Sequence, residues 1–374
     1  MKFVVSGNLL LSHLQTVGKV IASKNTIPIL DCFLFELKGN QLTITAADTE
    51  TRMVTSIEVN EVEGEGTFAV PSQNLLEALK ELPEQPVSFE IDESSLTMFV
   101  YYKNGKYKFV VQNGDEYIPA KPLNDDAVKL TISAGDLLSG ITHSLFAAGE
   151  DELRPVMNGV YFDIFPDSLT FVASDGHKLV RFKNLSVTGN ETANFILPKK
   201  PANLLRNILP RESGDVNIEF DSNNAYITME HFTVICRLIE GRFPNYNGVI
   251  PVDNPFKVTV NRVNFANALK RVTVFSDSST NLIKLQFTEN NIFISAQDID
   301  FSTSAEETMD CIYSGSDLSI GFKGNLLIEL LNNIVAEEVI IELADPSRAG
   351  LILPAENLPD EDLLMLLMPM VLNE

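Results

Sequence analysis

The sequence predicts an α+β fold made of three tandem, similar domains, each with two helices packed on antiparallel sheets. Three observations carry that prediction. A strand running into a polar turn with aspartate occurs at Ala46-Ala47-Asp48, Ala173-Ser174-Asp175 and Ala296-Gln297-Asp298, with the aspartates 127 and 123 residues apart. A period that long means repetition of whole domains, not a solenoid of short units. Each repeat opens on a strand followed by an amphipathic helix, and each carries a second helix marked by paired leucines. The divisions fall at 1–124, 125–253 and 254–374, in Pro-, Asn- and Asp-rich stretches near Leu123 to Val128 and Pro251 to Pro255.

The opening strands are Lys2 to Val5, Lys129 to Ile132 and Lys257 to Val260. Helical spacing follows each: Leu10, Leu14, Val17 and Ile21; then Leu138, Ile141 and Leu145 behind a cap at Ser133; then Phe265, Leu269 and Val272 behind a cap at Asn261. Paired strands come next, Ile29 to Leu37 with Gln41 to Ala46, Val160 to Ile164 with Ser168 to Ala173, and Leu282 to Phe287 with Asn291 to Ala296. Gly39-Asn40, Pro166-Asp167 and Glu289-Asn290 supply their turns. The second helices place Leu75-Leu76 with Leu79, Leu204-Leu205 with Ile208-Leu209, and Leu326-Leu327 with Leu330-Leu331 on one buried face. Each domain therefore reads as two similar helix-plus-sheet halves.

At 374 residues, 45% hydrophobic and 21% charged, the chain has the composition of a soluble globular protein. No apolar run is long enough to span a membrane, and Met1 to Ser6 reads as a strand without a cleavage pattern. Cys32, Cys236 and Cys311 are odd in number and far apart, which suits free thiols in a reducing cytoplasm and not a zinc site. No metal or cofactor motif is present.

The net charge of −23 argues at face value against nucleic acid. The charge is unevenly placed, however. The six helical segments hold eleven basic and four acidic side chains, a balance of +7 that leaves −30 for the remainder. Either these are ordinary solvated helix faces, or one side of a repeated array faces a polyanion.

Several strings fix the reading further: Thr26-Ile27-Pro28-Ile29-Leu30, Asn158-Gly159-Val160, Ser174-Asp175-Gly176-His177-Lys178-Leu179, Glu240-Gly241-Arg242-Phe243-Pro244-Asn245-Tyr246, and Met368-Pro369-Met370. In this order over three repeats, the chain resembles the bacterial sliding clamps, the β subunits of DNA polymerase III, over essentially its full length. The resemblance implies a DNA-clamp fold and a head-to-tail homodimer closed into a ring, with helices lining the hole and sheets outside. It implies a non-enzymatic processivity factor that encircles double-stranded DNA without reading sequence and works with a clamp loader complex, the replicative polymerase and other proteins bearing clamp-binding motifs. No cofactor and no membrane are implied.

The same resemblance carries over a peptide-binding pocket to Arg154, Met157, Ser174, Gly176, His177, Lys178, Leu179, Pro244, Val249, Met368, Pro369 and Met370. Such Leu, Val, Pro and Met side chains make an adaptable apolar groove. The sequence departs from the family at Gly248 and Val371, where basic residues are frequent, and Asn373-Glu374 extend the tail. For DNA, Lys24, Lys199 and Lys200 match the family's cationic positions, and the helix argument adds Lys80, Arg206, Arg262, Lys270 and Arg271. Gln73 and Asn74 stand where a basic residue is otherwise expected. The ring joint is expected where the strand around Tyr107 and Phe109 meets the third domain near Val274 and Phe275.

Two other readings compete. Asp175 and His177 suggest an enzyme, but no nucleophile or metal motif accompanies them. A repeat scaffold that binds partner peptides and never meets DNA would leave the basic helices scattered in orientation.

Overall fold

The computed structural model describes residues 1–189 and 191–372, so the terminal Asn373-Glu374 lie outside the described residues. The chain splits into two compact units. One comprises Met1–Leu138 and Lys200–Leu238, the other Ser139–Lys199 and the chain from Ile239 onward.

The first unit holds two antiparallel sheets. A five-stranded sheet runs in the order Asn60–Glu63, Lys2–Ser6, Pro86–Asp92, Thr97–Tyr102 and Gly105–Val110. In the larger, nine-stranded sheet, Thr51–Glu58 from the first repeat pairs with Phe232–Arg237 from the second, Thr51 opposite Cys236 and Thr55 opposite Phe232. The second unit repeats the device. Its eight-stranded sheet pairs Lys178–Asn184 of the second repeat with Glu361–Leu367 of the third, Lys178 opposite Leu367 and Asn184 opposite Glu361. A four-stranded sheet runs Thr303–Asp310, Asn291–Asp298, Leu282–Thr288, Leu318–Lys323. The compact units therefore divide the chain differently from the sequence repeats, because a main-chain ladder joins each repeat to the next.

Six α-helices lie among the described residues: α1 (Gly7–Val17), α2 (Ser72–Lys80), α3 (Ala134–Ser144), α4 (Lys199–Ile208), α5 (Arg262–Thr273) and α6 (Gly324–Asn332). Within the first unit α1 packs with α2, and within the second α5 packs with α6. The expected caps are present: the Ser133 hydroxyl accepts from Asp136 N at 3.0 Å, and Asn261 Oδ1 accepts from Asn264 N at 3.0 Å. Leu10, Leu14, Val17, Phe265, Leu269 and Val272 are buried as their spacing predicts.

Three local expectations are corrected. Ile21 is only half-buried, because α1 ends at Val17 and the tighter turn Gly18–Val20 swings Val20 inward instead. In α3 it is Leu137, not Leu138, that is fully buried, a one-residue phase error between neighbouring leucines. The strand expected from Ile29 begins at Cys32; Pro28–Asp31 forms a 3-10 turn that starts on the proline's preset φ.

The recurring aspartate does one job. Asp48 Oδ1 accepts from Glu50 N at 2.8 Å, Asp175 Oδ1 from His177 N at 2.8 Å, and Asp298 Oδ1 from Phe301 N at 3.1 Å. Each closes a hairpin by mimicking a backbone turn. Asp92, Asp221 and Asp345 do the same for Ser94 N (3.0 Å), Asn223 N (2.8 Å) and Ser347 N (2.8 Å), so the two halves of each repeat share the device.

Candidate functional site

The second copy of that turn borders a groove of ≈ 270 Å³ within the second unit. The groove is built from four stretches. Met157 closes a 3-10 turn begun by Pro155. Ser174, Gly176, His177, Lys178 and Leu179 form the hairpin turn, Phe243 to Tyr246 with Val249 lie in the closing segment of the second repeat, and Leu366 with Met368 lie at and just past the end of the last strand.

Hydrogen bonds hold the turn at every position. The Ser174 hydroxyl donates to Lys178 O at 2.8 Å and accepts from Gly176 N at 3.1 Å. Lys178 N donates to Asp175 Oδ1 at 2.9 Å, and Met368 N donates to His177 O at 2.8 Å. Gly176 has φ +90°, a conformation that favours glycine, and a Cβ there would displace only the flexible guanidinium end of Arg154, whose Nη1 lies 2.6 Å away. Burial pushes the Asp175 carboxyl up, but hydrogen bonds from Lys178 and His177 outweigh it and hold the group below the ordinary carboxylate range. The Asp175 carboxylate is thus engaged in shaping a turn, which His177 joins through its backbone N–H and carbonyl.

The floor is apolar and closely packed. Phe243 stacks on Tyr161 with ring centroids 4.7 Å apart, and Tyr246 donates its hydroxyl to Asp163 Oδ2 at 2.8 Å. Leu179, Phe243, Tyr246, Leu364 and Leu366 belong to one buried cluster. Met368 and Val249, 43% and 58% exposed, present apolar surface at the rim. Such a groove offers shape and apolar area to an extended peptide and few fixed polar demands.

Of the expected pocket residues, Met157, Ser174, Gly176, His177, Lys178, Leu179, Pro244, Val249 and Met368 come together here. Arg154 sits beside the turn, its Nε on Asp151 Oδ2 at 2.8 Å and its Nη2 3.4 Å from Asp175 O. Pro369 and Met370 do not line the groove; Met370 N donates to Gly321 O at 2.8 Å. The sequence reading missed Phe243, Asn245, Tyr246 and Leu366 as lining residues. Their signal was in the Phe243-Pro244-Asn245-Tyr246 string and in the apolar run before Met368.

The first unit has a cleft at the matching place, beside the Asp48 turn, of ≈ 210 Å³. Its lining has Arg52 four residues after the aspartate, where the groove has Leu179, and Arg237 after the paired strand position, where the groove has Met368. Same backbone plan, opposite chemistry: only the second-unit cleft is apolar.

The expected DNA-facing cations divide in two. Lys24, Lys80, Arg206 and Lys270 are exposed, and no ion pair holds them among the described residues. The others are engaged: Lys199 with Glu150 at 2.9 Å, Lys200 with Asp48 and with Val20 O at 2.7 Å, and Arg271 Nε with Glu307 Oε2 at 3.0 Å. Arg262 Nε donates to Ala336 O at 2.8 Å and its Nη1 to Leu331 O at 3.3 Å, closing the end of α6. At the expected joint, Tyr107 and Phe109 are half-buried on Gly105–Val110, the outermost strand of its sheet, while Val274 and Phe275 are 77% and 40% exposed.

Among the described residues no cluster of His, Cys, Asp and Glu could hold a metal, and no helix is long and apolar enough to cross a membrane. Cys32 and Cys236 are buried free thiols, raised by desolvation to about 11 and about 12.

Family models match the chain in sequence order: the N-terminal domain of the DNA polymerase III beta subunit at residues 1–120, its central domain at 131–245 and its C-terminal domain at 247–371. The beta sliding clamp of Treponema pallidum is 29% identical over 376 residues, 99% of each chain. That of Pseudomonas aeruginosa is 26% identical over 374 residues, 99% of this chain and 100% of its own. A crystal structure of a Pseudomonas aeruginosa sliding clamp bound to griselimycin superposes with a TM-score of 0.94, at 25% identity and 100% coverage of both chains.

Proposed function

The chain belongs to the DNA polymerase III beta subunit family, and on that premise we propose that it is a sliding clamp that encircles duplex DNA and keeps the polymerase on its template. The observation that carries this is the succession of three family domains across residues 1 to 371. The clamp holds its partners and catalyses nothing itself. It works in the cytoplasm, loaded by a clamp loader complex and serving the replicative polymerase and other motif-bearing proteins. Its domains are 1–124, 125–253 and 254–374.

The groove beside Asp175 takes partner peptides, a reading supported by its apolar lining and by Met368 and Val249 at its rim. Griselimycin, bound by a similar clamp, is our probe for it. DNA is met by Lys24, Lys80, Arg206 and Lys270, whose charge is exposed, in contacts to backbone phosphate without sequence readout. Two protomers join head to tail by edge-strand addition. Gly105–Val110 ends one sheet and carries Lys106 and Lys108, and Thr303–Asp310 ends another and carries Glu306 and Asp310, so the free edges have opposite charge.

The test is topological. Clamp loaded onto a nicked circular plasmid stays through gel filtration, and cutting the plasmid once releases it by sliding off the ends. Equal retention on circular and linear DNA overturns the encircling ring.

A further inference from the structure

We propose that Glu329, on α6, is a positioning residue of the partner groove, acting through the ammonium of Lys178. The proposal rests on the groove being the partner site.

The Lys178 side chain is 7% exposed, yet it carries a charge. A buried ammonium needs its charge met, and two carboxylates meet it: Asp175 Oδ2 at 3.0 Å and Glu329 Oε2 at 3.0 Å. Asp175 belongs to the turn itself. Glu329 comes from a helix elsewhere in the chain and ties the Lys178 side chain to α6, beside the main-chain bonds that join the turn to the last strand. Burial pulls the Lys178 ammonium down, but the hydrogen bonds to Asp175 and Glu329 overcome it and stabilise the charged form. The lysine's place matters because its neighbours are the groove. Leu179 is floor, and His177 O receives Met368 N at 2.8 Å, which sets the rim.

A second, independent observation comes from the first unit. There the Asp48 turn is also fastened by an ion pair to a second helix of a repeat, Asp48 Oδ2 to Lys200 Nζ on α4. The partners are exchanged in sign: the turn gives the acid and the helix the base at Asp48, and the reverse at Lys178. A strap kept in both units with its polarity reversed marks the strap, rather than either side chain, as the structural requirement. Where the strap borders an apolar groove, it sets the geometry of that groove.

The experiment measures griselimycin affinity calorimetrically on the full-length dimer. Glu329→Gln keeps the side chain's shape and removes its charge, and a thermal melt checks that the variant is folded. Affinity is expected to fall about three- to tenfold, as a charge-assisted hydrogen bond to a part-exposed carboxylate implies. Glu329→Asp restores most of it, and Glu329→Gln adds no further loss in a Lys178→Met background. Unchanged affinity in Glu329→Gln, or the same additional loss in both backgrounds, overturns the proposal. Met368→Arg, which copies the Arg237 of the other cleft, separates the two levels. If it binds griselimycin as wild type does, the groove reading falls and this proposal with it. If it loses binding while Glu329→Gln does not, the groove stands and only the role of Glu329 is refuted.

Discussion

At the scale of residues, one side-chain type at a fixed backbone position decides what each junction does. Four residues after the turn aspartate, Arg52 makes the first cleft polar and Leu179 makes the second a groove. Arg52 is spent internally, donating to Ile118 O and lying 5.7 Å from the Tyr117 ring centre, so its cleft carries charge already answered. Single residues also set the response to acid. His13 on α1 accepts or donates at Nδ1 to the Thr55 hydroxyl at 2.7 Å and stacks on Phe232, 5.4 Å between centroids. Desolvation lowers its pKa below 6.5, as does the nearby His231, with Glu212 opposing. A histidine depressed in the folded state contributes stability that is complete above 6.5 and is lost as the pH falls from there through the folded value. The thermal midpoint should therefore drop between pH 7.5 and 5.5, and drop less in His13→Phe. Parallel curves for the two proteins would show that His13 does not report on folding.

At the scale of elements, helices are positioned by apolar spacing and by caps, and strands by the turns that end them. α5 illustrates the first: Asn261 caps it, and Phe265, Leu269 and Val272 fall on its buried face. Leu269 is fully buried, so Leu269→Ala should cost about 2–5 kcal/mol through lost burial and a residual cavity. A urea melt of the unit's transition reads it directly; a cost below about 1 kcal/mol would mean the site collapses around the missing atoms. The turns illustrate the second. Asp48 and Asp175 each bridge backbone N–H groups and so fix the start of the strand that crosses to the next repeat. The same element closes the hairpin and borders the cleft, which is why the groove lies at a junction and not inside a repeat.

At the scale of the whole molecule, charge and assembly are coupled. A chain of net −23 repels DNA in general, and the attraction we propose falls to the exposed cations Lys80, Arg206 and Lys270 on helices and Lys24 in the segment after α1. Holding DNA then depends on closing around it, so the joint between protomers carries the function. Val274 and Phe275, exposed in the single chain, are the apolar residues we propose for that joint. Val274→Asp combined with Phe275→Asp should give a folded monomer in sedimentation velocity that is no longer retained on circular DNA. A variant that sediments as wild type does would place the joint elsewhere.

The repeats, the helix faces and the turn aspartates were legible in the sequence because periodicity and short turn chemistry are local, and nine of the groove's lining residues were legible through the family resemblance that its short strings carry. The phase slip at Leu137 and the late strand start at Cys32 were not, because adjacent apolar residues and a proline turn are settled by what each side chain packs against. Basic residues were countable, but not their partners: Lys200, Arg262 and Arg271 turn out to be held by Asp48, by the end of α6 and by Glu307. Nothing local announced the pairing of Lys178 with Glu329, 151 positions apart in the chain. The sequence by itself determined which elements form and that they form three times. Only the tertiary structure decided which charges are spent and which cleft is apolar, because both depend on residues far apart along the chain that folding within each repeat, and strand ladders between repeats, bring together.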